Sequence, residues 1–328
     1  MKNLKFLVLG VLFVSLFLSS CKKDPIPVDE AQVLVEFLES AESPLGVDYP
    51  STTMPAIVTA EGVHTLNLTG QVYIIDIRAA DAFATGHIEN AVNVGGADVL
   101  AHLGGIDAAS YEKIAIVCYS GQSAAFVTCL ARISGYGNVF SMKWGMCSWH
   151  VDFAGSWPGN VSNTYASQFT TDATAKGAEG ELPVLATGLE TGQDILDFQI
   201  DVVNTAGFGA AKVTAAEVFG APANYYVVNY WKEAHYTDPG HIPGAMQYTP
   251  KVAMQFAEDL KTLPTDKTVV VYCYTGQTSA NMAAYLRVLG YDAKSLLFGA
   301  SGMILDLISR DGYPHWADSY IMGYDYVQ

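Results

Sequence analysis

Two cysteines of this chain stand in nearly identical surroundings. Cys118 lies in Ile116-Val117-Cys118-Tyr119-Ser120-Gly121-Gln122-Ser123-Ala124, and Cys273 in Val271-Tyr272-Cys273-Tyr274-Thr275-Gly276-Gln277-Thr278-Ser279-Ala280. In each copy an apolar, strand-like run ends at the thiol, a short loop turns at a glycine, and helix-forming residues follow. Main-chain N–H groups and a helix N-terminus converge on such a loop and favour negative charge, so the thiol becomes a thiolate nucleophile. The copies are 155 positions apart (273 − 118), which predicts a duplicated domain and a two-domain cysteine enzyme.

The elements that must position these thiols recur in the same order. Val58-Thr59-Ala60-Glu61 aligns with Val213-Thr214-Ala215-Ala216, an N-cap before a short helix. Tyr73–Arg78 aligns with Tyr226–Trp231 as a buried strand, and Gly86-His87-Ile88 with Gly240-His241-Ile242 before another short strand. After the cysteine loops come helices ending at Gly135-Tyr136 and Gly290-Tyr291, then strands at Val139–Met142 and Ser295–Phe298. Short apolar strands alternating with helices predict an α/β fold: two domains, each a small, mostly parallel sheet with helices on both faces. Functional loops are then expected beyond the C-terminal ends of the strands. A length of 328 residues, half of them hydrophobic, suits two full cores. The expected division is a tether and short helix over 21–53 (helical at Glu30–Ser40), domain one over 54–157, a Gly/Ser/Thr-rich linker over 158–191, and domain two over 192–328.

Residues 1–20 do not belong to that fold. Lys2 and Lys5 precede an apolar run, Phe6–Leu18, too short to span a bilayer but suited to a signal peptide. The run closes in Leu18-Ser19-Ser20-Cys21, which resembles the lipobox of bacterial lipoproteins, with an ordinary secretory leader as the alternative. The resemblance implies lipidation at Cys21 and an exported, lipid-anchored protein of the bacterial cell envelope, Lys22 pointing to the outer membrane. Loss of residues 1–20 removes two lysines and no acid, moving the formal charge from −16 to −18. So acidic a chain is not expected to track nucleic acid, and it offers anionic lipid no polybasic patch.

The order of motifs resembles the rhodanese family of sulfurtransferases over about residues 55–157 and 195–320. The residues that carry it are Asp76-x-Arg78, Gly-His-Ile-x-x-Ala at 86–91 and 240–245, Cys-x-x-Gly-x-[Ser/Thr] at Cys118 and Cys273, and Gly-Tyr after the following helix. The resemblance implies a catalytic cysteine that takes sulfane sulfur from a thiosulfate-type or 3-mercaptopyruvate-type donor, holds it as a persulfide, and passes it to cyanide or a thiol. No cofactor is expected, and no metal either, since no Cys-x2-Cys or His-x3-His pair gives a zinc spacing. Catalysis falls to Cys118 and Cys273, the persulfide to the loops Tyr119, Ser120, Gly121, Gln122, Ser123 and Tyr274, Thr275, Gly276, Gln277, Thr278, and donor binding to Asp76 and Arg78. Related phosphatases need a longer loop ending in arginine, which neither copy has. The departures are specific. Neither loop carries a cation, so thiosulfate activity is expected to be weak, and tyrosine replaces the glycine of 3-mercaptopyruvate-type loops. Domain two has Asn229 and Trp231 in place of Asp76 and Arg78, which favours, as the alternative for that half, a persulfide carrier or partner-binding module without turnover.

Other candidates have structural readings. His87 and His241 are expected to fix turns, and Arg132 and Arg287 to sit at helix C-termini. Cys129 reads as a small core residue, although an oxidising compartment would allow a Cys129–Cys147 disulfide. Cys147, whose counterpart is near Ser301, could face Cys118 as a resolving or relay thiol. The tyrosines at 225–226 and 320–326 read as core and C-terminal packing.

Overall fold

The computed structural model describes residues 28–328; the leader, the lipobox and Cys21 lie outside the described residues. The first half runs α1 (Glu30–Leu38), α2 (Tyr49–Thr52), β1 (Ile57–Val58), α3 (Ala60–Leu68), β2 (Val72–Asp76), α4 (Ala80–Thr85), β3 (Val92–Asn93), α5 (Val99–Gly104), β4 (Lys113–Val117), α6 (Gln122–Ile133) and β5 (Val139–Met142). The second half follows as α7 (Gly192–Ala210), β6 (Lys212–Val213), α8 (Ala215–Gly220), β7 (Tyr225–Asn229), α9 (Glu233–Thr237), β8 (Met246–Gln247), β9 (Thr268–Tyr272), α10 (Gln277–Val288), β10 (Ala293–Leu296) and α11 (Leu305–Arg310).

Each half folds into a five-stranded sheet, ordered β1-β5-β4-β2-β3 and β6-β10-β9-β7-β8. Every strand pair is parallel, as the alternation of short apolar strands with helices requires. The expected caps form: Thr59 accepts from the Gly62 amide, and Thr214 and Glu217 cap each other's backbone. The expected strand at Ser295–Phe298 lies two residues earlier. Phe298 has instead turned into the left-handed region (φ 59°), as Trp144 does at the same place in domain one (φ 67°). Both turns bring the following glycine against a cysteine loop.

The largest buried cluster is shared by the two halves. α6 and α10 pack against each other, and every residue of α6 except Ser123 is buried, which is why this helix reads as apolar on all sides. Leu34, Val35, Phe126, Leu130, Ile200, Val203, Tyr285 and Leu286 belong to a single buried cluster spanning α1, α6, α7 and α10.

Each half is also strapped by the segment that follows the other. After domain one, the Ser162 and Tyr165 amides bond the Ser301 and Met303 carbonyls, and Thr170 exchanges two backbone bonds with His241 (2.9 and 2.8 Å). After domain two, the Met322 and Tyr324 amides bond the Ser148 and Trp149 carbonyls, and Val327 exchanges two with His87 (2.9 and 2.8 Å). Tyr324 and Tyr326, expected as C-terminal packing, do pack, and they do so against domain one as part of this strap.

Candidate active site

Cys118 follows the last residue of β4, at the C-terminal edge of its sheet, where the loop turns through Gly121 (φ 87°) into the 12-residue helix α6. Its Sγ accepts from the Gly121 amide at 3.1 Å and the Ala124 amide at 3.4 Å. Two N–H donors at the N-terminus of a three-turn helix thus point at this sulfur, an arrangement suited to holding negative charge that develops there. The loop is pinned from the other side: the Cys118 carbonyl accepts from the Met146 amide at 2.8 Å, and a Cβ on Gly145 would lie 2.3 Å from that carbonyl oxygen. Only glycine allows this approach, which explains the glycine after Trp144. Cys118 is 2 % exposed, on the floor of the loop, while Tyr119 beside it is 48 % exposed.

The strand register sets Asp76 beside Val117, so the Asp-x-Arg pair lies next to the cysteine. Asp76 is fully buried and its carboxylate is taken up by Arg78, whose Nε and Nη2 approach it at 3.0 and 2.6 Å. Asp76 is thus no substrate ligand, in contrast to expectation; it orients Arg78. The Arg78 Nη2 also donates to the Gly86 carbonyl at 2.7 Å, and its Cζ lies 5.8 Å from the Tyr119 ring and 5.3 Å from that of Phe153. Arg78, Tyr119, Asp152, Phe153, Ser156 and Tyr326 line a cavity of about 590 Å³ beside the loop. Across Tyr119, Ser120, Gln122 and Ser123 border a second cavity of about 370 Å³ whose far wall is Phe208, Lys212 and Phe298 of domain two.

The Cys273 loop copies the turn but not the surroundings. Its Sγ accepts from one amide, Ser279 at 3.4 Å, and lies 3.6 Å from the Ser279 hydroxyl. Trp231, in the place of Arg78, stacks flat on Tyr274 (4.8 Å between centroids, 1° between planes). The Tyr274 hydroxyl meets His235 Nδ1, and His235 stacks on Tyr313 at 3.9 Å. Burial among these rings pushes the Tyr274 hydroxyl pKa well above the ordinary phenol value. Tyr119 stands half exposed; Tyr274 is clamped.

The structure removes Gln122 and Gln277 from the set of persulfide ligands. Gln122 Oε1 accepts from the Phe298 amide at 2.8 Å, and Gln277 Oε1 from the Trp144 amide at 3.1 Å, so each caps the strained turn of the opposite domain. Ser120 and Thr275 are nearly buried, and Ser123 and Thr278 partly exposed at the start of their helices. The Cys129–Cys147 disulfide does not form: both thiols are free. Burial pushes the Cys129 thiol up to about 12 and Cys147 to about 11, and Cys147 Sγ donates to the Phe153 carbonyl at 3.3 Å. A thiol held protonated in this way is a poor resolving or relay nucleophile. His87 and His241 tie their Nδ1 atoms to the Phe83 and Tyr236 carbonyls, and Arg132 and Arg287 reach carbonyls beyond their helix ends, all as expected. Among the described residues no group of three or more His, Cys, Asp or Glu is placed to hold a metal, and no helix is long and apolar enough to cross a membrane. Sequence reasoning missed Phe153, Ser156 and Tyr326, which come to the first loop from other segments and carry no local signature.

The rhodanese-like domain matches this chain at residues 59–152 and 226–302. The thiosulfate sulfurtransferase GlpE of Shewanella oneidensis is 33% identical over 79 residues, covering 24% of this chain and 76% of that protein. Among solved structures, the thiosulfate sulfurtransferase of Pseudomonas aeruginosa is 15% identical with a TM-score of 0.29, over 88% of this chain and about half (49%) of that one. The 3-mercaptopyruvate sulfotransferase SseA of Escherichia coli is likewise 15% identical with a TM-score of 0.27, over 73% of this chain and 97% of that one. With each matched segment holding the central strands of its own parallel sheet and its cysteine loop, the chain belongs to the rhodanese family of sulfurtransferases.

Proposed function

We propose that this protein moves sulfane sulfur through a persulfide on Cys118. The observation that carries the reading is the pair of main-chain N–H donors on Cys118 Sγ at the head of α6. The thiolate attacks the outer sulfur of a donor, the donor's bond to that sulfur breaks, and the leaving group departs with the electron pair. Main-chain N–H groups of the loop then hold the charged terminal sulfur until cyanide or a thiol attacks it and releases Cys118 as thiolate. Arg78, fixed by Asp76, is the donor-binding residue of this site. Because Cys118 is almost fully buried, donors reach it past the Tyr119 ring. Incubation with thiosulfate, 3-mercaptopyruvate or an organic thiosulfonate followed by mass measurement should add one sulfur, lost in Cys118→Ser. No gain with any donor would remove the proposal.

For domain two the alternative reading is favoured, a carrier or binding module, because the Trp231–Tyr274 stack covers the loop of Cys273. Cys273→Ser should then leave turnover with cyanide nearly intact; a loss comparable to that of Cys118→Ser would refute it. The leader and Cys21 support a further proposal, a lipid-anchored protein of the bacterial cell envelope. Metabolic labelling with a palmitate analogue should mark the wild type and not Cys21→Ala.

A further inference from the structure

We propose that Lys143, the first turn of α3 and the rings of Trp144 and Tyr320 form a binding site for a short-chain monocarboxylate, and that its occupancy steadies the turn that pins the Cys118 loop. The site shares no lining residue with the two cavities that flank Tyr119.

The cation comes first. Acidic side chains outnumber basic ones 33 to 17 in this chain, yet Lys143 makes no ion pair among the described residues. Its ammonium stands 5.0 Å from the Trp144 ring centre and 4.9 Å from that of Tyr320, half-buried, and the loss of water lowers its pKa below the ordinary lysine value. The turn itself does not require a lysine. Domain two builds the same left-handed turn with Leu297 and Phe298 where domain one has Lys143 and Trp144. A charge held half out of water without a counter-ion is suited to an anion from outside.

The cavity supplies the rest. Lys143, Trp144 and Tyr320 line a space of about 160 Å³ together with Thr59, Ala60 and Glu61. The Thr59 hydroxyl takes the Gly62 amide, which leaves the Ala60 and Glu61 amides without a partner among the described residues, at the positive end of a nine-residue helix. Trp144 Nε1 is likewise buried and unpartnered, in a residue 1 % exposed. One ammonium and these N–H groups match the oxygens of a carboxylate. Tyr320 and Met322 give the remaining wall an apolar face for a short alkyl tail. Glu61 lines the cavity without pairing with Lys143 and opposes a second negative charge, so a dianion such as sulfate is disfavoured. At ~30 Å³ for each water, the space holds about five small groups, the size of propionate.

The position gives the site its consequence. The Lys143 amide bonds the Val58 carbonyl at 2.8 Å, just before α3, and Trp144 leads into Gly145 and Met146, whose amide holds the Cys118 carbonyl at 2.8 Å. A carboxylate bridging Lys143 and the head of α3 therefore ties down the turn from which the Cys118 loop is held.

The test uses the full chain with sodium propionate at about 20 mM, roughly twenty times the millimolar dissociation constant expected of so small a ligand, and with chloride or sulfate at matched ionic strength. Acetylation by an N-hydroxysuccinimide ester, read by peptide mass, should slow about tenfold at Lys143 in propionate, and little in chloride or sulfate or at the exposed Lys232. Propionate should also slow Cys118 alkylation about threefold and raise the melting temperature by about 2 °C. Both effects should vanish in Lys143→Leu, which installs the residue that domain two carries at this place. No protection of Lys143 by propionate, or equal protection by chloride, overturns the site. Sulfate protecting as well as propionate overturns the ligand class. Lys143 protected with the Cys118 rate unchanged overturns the link to the loop. Should Lys143 resist acetylation in chloride alone, the melting shift decides, and its absence from the wild type or its persistence in Lys143→Leu overturns the site. None of these readouts depends on sulfur transfer.

Discussion

The crossed glutamines make a prediction that no single-domain view would make: replacing Gln277, in domain two, should loosen the loop of Cys118 in domain one. Gln277 Oε1 holds the Trp144 amide at 3.1 Å, and its Nε2 lies 3.4 Å from the Gly121 and Met142 carbonyls. A Cβ on Gly121 would lie 2.3 Å from that same Nε2, so the amide fills the space above the loop. Leucine keeps the side chain's bulk but leaves the buried Trp144 N–H without a partner, at a cost of about 1–3 kcal/mol. Trp144 already bears left-handed backbone, so the strain adds to the incentive to open. A local loss of about 1–2 kcal/mol raises the open population roughly 5–30-fold. Alkylation of Cys118 by iodoacetamide, followed by peptide mass, should accelerate by that factor in Gln277→Leu, with Cys273 little changed. Gln122→Leu should do the reverse, through the Phe298 amide. If each substitution instead frees the cysteine of its own loop, the cross-domain clamp is wrong.

Three further outcomes follow from the same geometry. Tyr274→Ala should raise Cys273 alkylation about tenfold or more, because stacking on Trp231 and the contact with His235 are lost; Tyr119→Ala should raise that of Cys118 less, since its ring is half exposed already. Cys129 and Cys147, pushed up to about 12 and 11, should stay unlabelled at pH 8 in the folded protein and react only after denaturation. Glu39, whose carboxyl burial raises to about 7 from the ordinary 4.5, holds more protons folded than unfolded between those values, so stability should fall as pH rises through that window. Glu39→Gln should flatten the thermal-melt pH profile there, removing about 1 kcal/mol of slope once solvent screening of this half-buried group is allowed for; an unchanged profile would contradict the assignment.

Much of this architecture was legible because its signals are local. The apolar runs ending at Cys118 and Cys273 read as strands, Thr59 and Thr214 as caps, and the repeat itself aligned the two cysteine loops. What was not legible depends on how the halves dock. Gln122 and Gln277 look like loop ligands in sequence, yet each is turned away by the other domain's strained turn. Tyr326 stands 207 positions from Tyr119 (326 − 119) and reaches the same cavity only through the strap on His87. Asp76 and Arg78 were found by their motif, but the pairing that makes one a support and the other a wall needs the bonds between them.

The most direct test of the central claim is the alkylation of Cys118 in a Cys273→Ser protein before and after incubation with a sulfane-sulfur donor, read as peptide mass. A sulfur held by the two main-chain donors at the head of α6 predicts that the donor adds one sulfur at Cys118 and thereby blocks its alkylation. Alkylation unchanged by every donor, with no sulfur added, would contradict it.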